Sequence, residues 1–109
     1  MSRLSAKDAV AKVASGDITV IDVRETTEVQ ASGIAKGALH IPLAMLPLKA
    51  DPKAPGFDGR IALGKPVAVY CAVGGRAGMA AQTLSRLGYD AHNIGGFGDW
   101  VQAGGPVSR

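Results

Sequence analysis

The chain has 109 residues, 12 Lys or Arg against 9 Asp or Glu, and 47% hydrophobic residues, the balance of one globular domain with its own core. A single Cys excludes an internal disulfide and leaves a buried filler, an intermolecular link or a reactive thiol. Basic residues are scattered among acidic ones from Arg3 to Arg109, with only one Trp, two Tyr and two Phe, so no nucleic-acid partner is expected. No run approaches the roughly 18 apolar residues of a membrane span, and Met1 to Lys7 lacks an apolar leader, so a cytoplasmic protein without a membrane partner is expected.

In chain order, Ser5 with Asp8 three residues later resembles a capping box, and Ala6, Val10 and Val13 follow at helical spacing until Ser15-Gly16-Asp17; this predicts a first helix. Ile18 to Val23 is a β-branched run without alternation, as in a parallel strand covered on both faces. Its charged end, Asp22 to Glu25, leads into a short predicted helix holding Thr26, Thr27 and Glu28 and ending at Ser32-Gly33. Ala38 to Ile41 predicts a brief strand stopped by Pro42. Leu43 to Gly64 reads as a loop-rich excursion with a helical turn or two, broken by Pro52, Pro55 and Asp58-Gly59.

Pro66 to Cys71 is the clearest strand. Arg76 to Leu87 is the clearest helix, with Ala77, Ala80, Leu84 and Leu87 on one face and Gly88 at its end. Asp90 to Ile94 predicts a last strand, Gly95 to Gly98 a turn and Asp99 to Gln102 a helical stub. The domain is thus placed at residues 5–103, and residues 104–109 form a loose tail. Strands alternating with helices predict an α/β fold, a mainly parallel central sheet flanked by helices on both faces.

The segment Cys71-Ala72-Val73-Gly74-Gly75-Arg76 joins the C-terminal end of a strand to the start of a helix, where open α/β sheets place their sites. Two glycines let successive N–H groups turn inward as a nest, and the helix start adds partial positive charge. Such a loop suits a sulfur anion. A cysteine that merely packs needs neither the glycines nor Arg76, although spacing alone leaves packing and reactivity both open. Gly59 to Lys65 has the spacing of a phosphate loop, but Pro66 replaces its Ser or Thr and a strand follows. His40 and His92 with the dispersed carboxylates give no metal-ligand spacing, so no metal or other cofactor is expected.

Four segments in order resemble the single-domain rhodanese-like sulfurtransferase family. Val20-Ile21-Asp22-Val23-Arg24-Glu25 resembles its first box, and Gly33 to Pro42 its "GHIxGAxxIP" box. Val69 to Ala77 resembles the active-site loop, and Gly95 to Trp100 the closing "GGxxxW" box. The resemblance implies a rhodanese-like fold and covalent, two-step catalysis. Cys71 would attack the outer sulfur of thiosulfate or a persulfide donor and hold it as a persulfide until a small thiol or a protein acceptor takes it. Ala72, Val73, Gly74, Gly75 and Arg76 would bind the substrate through backbone N–H groups, with Arg76 orienting the anion or bracing the loop. Asp22 and Arg24, at the first strand's end, would support the loop.

The sequence departs from the family pattern at Ile34, where a histidine is usual, at Ala77, where a hydroxyl is usual, and at Ala72, which is basic in some members. An uncharged rim at Ala72 and Val73 predicts weak thiosulfate binding and better use of persulfide donors, with the 43–64 excursion as a docking surface. Two rivals stand beside this reading. A non-catalytic module would relay sulfur or sense oxidants through the same Cys. A cysteine phosphatase or arsenate reductase would need a loop one residue longer than the four residues between Cys71 and Arg76.

Overall fold

The computed structural model describes residues 4–109. Helix α1 spans Ala6–Ala14, and its capping box is formed: the Ser5 hydroxyl accepts from the Asp8 N–H, and the Asp8 carboxylate accepts from the Ser5 N–H. Then come β1 (Thr19–Asp22), α2 (Thr26–Ser32), β2 (Ile34–Ala35) and β3 (Leu39–His40). A 3₁₀ turn at Leu43–Met45 runs into α3 (Leu46–Lys49). After the excursion come β4 (Val67–Cys71), α4 (Gly75–Arg86), β5 (Ala91–Gly96), α5 (Phe97–Gln102) and β6 (Val107–Ser108).

Four strands pair in the order β3-β1-β4-β5, all parallel. Each strand must therefore return through a crossover, which places helices over both faces of the sheet. Side chains alternate along β4, and every one of its five residues is buried. Val67, Val69 and Cys71 pack with Ile21, Leu46, Ala77, Ala80 and Leu84 beneath α3 and α4. Ala68 and Tyr70 face the other way, into a second core with Val20, Ala9, Ile94 and Trp100 beneath α1 and α5. Helix α4 ends as its sequence indicates. The Tyr89 N–H reaches the Leu84 carbonyl and the Gly88 N–H the Ser85 carbonyl, which is a Schellman closure.

Three local expectations need correction. The strand expected at 38–41 is only Leu39–His40, because the Ala38 N–H closes a turn onto the Ala35 carbonyl. The last strand extends past 94 to Gly96 with an irregularity in its register, so Gly95-Gly96 is strand end rather than turn. The tail is not loose: Ala35 pairs antiparallel with Val107 and Ile34 with Ser108, and the Trp100 indole N–H donates to the Pro106 carbonyl at 2.9 Å. Two-residue strands fixed by a distant partner carry no periodicity for sequence to display.

Candidate active site

Cys71 is the last residue of β4 and is 1% exposed. Its Sγ accepts the Gly74 N–H at 2.9 Å and the Ala77 N–H at 3.4 Å, so the chain from 71 to 77 curls around its own sulfur. Gly74 makes the curl possible with a left-handed φ of 106°, which a residue bearing a β-carbon adopts only at a cost. The first N–H groups of α4 have no intrahelical acceptor. Those of Gly75 and Arg76 accordingly have no protein acceptor among the described residues. Ala72, Val73 and Gly75 are exposed, Val73 to 90%, while Gly74 and Arg76 are half-buried.

The floor of the loop is β5. A β-carbon at Gly96 would strike the Ala72 carbonyl, so loop and strand backbones touch directly. Asn93 bridges the two, its Nδ2 donating to the Gly74 carbonyl at 3.1 Å and its Oδ1 accepting from the Gly95 N–H at 2.8 Å. Asp99 caps the start of α5 by accepting the Gly96 N–H at 2.7 Å.

Arg76 is engaged by Glu28 of α2 in a two-pronged pair at 2.6 and 2.8 Å. Glu28 also accepts the Glu25 N–H at the start of its own helix. The Arg76 bonds, and then the Glu25 N–H, hold the Glu28 carboxyl down at about 2 against an opposing effect of burial. Arg76 is raised in turn, first by its bonds to Glu28 and further by the charges of Glu28 and Cys71. Both hydrogen bonds of this guanidinium among the described residues go to Glu28.

Asp22 is fully buried and spends both carboxylate oxygens on Arg24, accepting its backbone N–H at 2.9 Å and its guanidinium at 2.7 Å. Burial would lower Arg24, but the bonds and charge of Asp22 outweigh it and leave the guanidinium raised. Arg24 also donates to the Ser32 hydroxyl at 2.7 Å and the Gly33 carbonyl at 2.8 Å, and lies 4.5 Å from the Phe97 ring centre. The Arg24 carbonyl is 2.8 Å from His40 Nε2. Neither Asp22 nor Arg24 hydrogen-bonds to residues 71–76. Together they fix the end of α2, the helix that carries Glu28, so they reach the loop at one remove. Tyr70, beside this pair, is pushed up by its burial and then by the Asp22 carboxylate, and its hydroxyl accepts the Ala35 N–H at 3.0 Å.

Glu28 and Asn93 are the site residues that sequence reasoning missed. Glu28 carried one faint signal, an acidic residue in a first helical turn. Asn93 carried another, a polar residue within a predicted strand.

A family model described as "Rhodanese-like domain" matches residues 5–103. The uncharacterized protein YqhL of Bacillus subtilis is 39% identical over 83 residues, which are 74% of this chain. The match spans only 59% of that relative's length. A protein of unknown function from Rhodopseudomonas palustris, described as a possible tyrosine phosphatase, superposes with a TM-score of 0.84 at 34% identity. That superposition covers 99% of this chain and 85% of the other. A rhodanese-related protein from Thermoplasma volcanium superposes with a TM-score of 0.76 at 29% identity, over 99% and 98% of the two chains.

Proposed function

The chain belongs to the rhodanese-like domain family, and on that premise we propose that it is a sulfurtransferase whose carrier is Cys71. In the first step the Cys71 thiolate attacks the outer sulfur of the donor, forming an S–S bond as the donor's own bond to that sulfur breaks. Thiosulfate leaves as sulfite, or a persulfide donor leaves as its thiol. In the second step a thiolate acceptor, small or on a protein, attacks the outer sulfur and Cys71 departs as thiolate. Each step exchanges one bond to sulfur for another, with no net oxidation and no cofactor.

One observation carries the reading: Sγ receives two backbone N–H groups, while those of Gly75 and Arg76 in the same loop have no acceptor among the described residues. Preorganised donors of this kind stabilise charge that develops during transfer without reorganising at that moment. Because Cys71 is 1% exposed, the donor must present a terminal sulfur through the mouth of the loop. The rim there consists of Ala72 and the exposed Val73, which favours a persulfide over a dianion.

The phosphatase alternative is disfavoured by a specific contact. A phosphate-binding loop uses its Arg to clasp the equatorial oxygens, whereas both prongs of Arg76 are held by Glu28. A module that only relays sulfur would share the first step and lack fast release to small acceptors.

The test is the intact mass of the protein after treatment with thiosulfate and, separately, glutathione persulfide. The expected gain is one sulfur atom, removed by cyanide or thiol, more readily acquired from the persulfide and absent in Cys71→Ser. Sulfur uptake by the Ser variant equal to that of the native protein would overturn the assignment.

A further inference from the structure

We infer that Asn93 is a positioning residue of the sulfur-carrying loop: its amide pins the Gly74 carbonyl to β5 and so keeps the Gly75 N–H directed into the loop. The inference rests on the sulfurtransferase reading of Cys71 and deepens it.

Gly74 and Gly75 share one peptide unit, and there is no cis peptide among the described residues. In a planar trans unit the carbonyl and the N–H point in opposite directions. Whatever holds the Gly74 carbonyl therefore aims the Gly75 N–H. The unit lies between two glycines, so no β-carbon resists its rotation, and its direction must be set by hydrogen bonds. Two are present, from the Gly78 N–H at 3.0 Å and from Asn93 Nδ2 at 3.1 Å. The first belongs to the opening turn of α4, the part of a helix that frays most readily. The second comes from a strand of the central sheet.

The Asn93 amide is itself fixed. Its Oδ1 takes the Gly95 N–H at 2.8 Å, so the Nδ2 end must face the Gly74 carbonyl; the reverse orientation would set donor against donor and acceptor against acceptor. Of the donors around the sulfur, the Gly74 and Ala77 N–H groups already bind Sγ. The Gly75 N–H, unpaired among the described residues, is therefore free for the outer sulfur, and Asn93 sets its direction. A residue acting this way lowers the barrier to transfer without touching the donor.

The test uses Asn93→Asp, which keeps the volume and the acceptor for Gly95 but turns an oxygen toward the Gly74 carbonyl, with Asn93→Ala as the second variant. Single-turnover sulfur uptake from glutathione persulfide gives the maximal rate and the half-saturating donor concentration. Nitrogen-15 relaxation dispersion of the Gly75 amide reports motion of the peptide unit in the absence of donor. The expected result for Asn93→Asp is a maximal rate lowered about tenfold, a half-saturating concentration within about twofold of native, and new microsecond-to-millisecond exchange at Gly75. A native rate in both variants would overturn the inference, with or without added exchange at Gly75. A native protein that takes up no sulfur would sink the sulfurtransferase reading by itself. The Gly75 amide then decides the inference alone, and unchanged exchange in both variants overturns it.

Discussion

Glu28 does two things with one carboxylate: it closes the first turn of α2 through the Glu25 N–H and it clasps Arg76 across to α4. The pair joins the two helices that flank the loop, although its side chains remain about one-third exposed, at 31% and 35%. Solvent screening therefore keeps its stability contribution under about 1 kcal/mol. The pH dependence has a definite sign. The Glu28 carboxyl sits at about 2 in the folded chain against an ordinary 4.5, so the contribution is complete above the ordinary value and is lost as pH falls toward 2. Glu28→Gln should lower the urea midpoint slightly at pH 7, and the difference from native should shrink steadily below about pH 4.5. A difference that grew on acidification would show that the pair does not stabilise the fold. At neutral pH the same variant should slow sulfur uptake several-fold by freeing Arg76 from its brace.

At the scale of elements, the site is a contact between two backbones, the 71–76 loop and the end of β5. The loop was legible in the sequence because a strand, two glycines and a helix start are all local signals. Its Cys71 stands where the reading placed it, at the edge where β4 meets α4. The partners that fix it were illegible, since Glu28 and Asn93 come from elements whose approach depends on the register of the whole sheet. Asp22 and Arg24 were correctly placed at a strand end, but two residues say nothing of Ser32 and Gly33, to which Arg24 reaches. The closing glycine box reads as a turn by composition, yet Gly96 is strand, and it is glycine because the Ala72 carbonyl occupies the space of a β-carbon. Gly96→Ala should thus push the loop off its floor, costing about 1–3 kcal/mol as overpacking does. Sulfur uptake should fall more than stability does. Urea unfolding and persulfide formation measured on the same variant check this, and an alanine variant with native uptake would show that the loop does not depend on β5.

At the scale of the molecule, two cores lie back to back across one sheet, and the sulfur sits on the α3–α4 side while the tail closes the α1–α5 side. No hydrogen bond among the described residues links 104–109 to the 71–76 loop, so the tail should act on stability and leave the chemistry alone. Its links are the Pro106 carbonyl, which accepts both the Trp100 indole N–H and the Lys36 N–H at 2.9 Å, and the pairing of β6 with β2. Trp100 is the only tryptophan and is fully buried, so uncovering it both removes a partner from a polar indole and admits water to its ring. Deletion of residues 104–109 should therefore destabilise the protein by about 2–4 kcal/mol, from the lost hydrogen bonds and the apolar area exposed. Trp100 fluorescence should shift to the red in the folded state, giving a direct optical record of the lost cover. Sulfur uptake per folded molecule should stay native in the shortened chain at low temperature. A native urea midpoint with an unshifted emission maximum would show that β6 and Pro106 lie against the domain without holding it together.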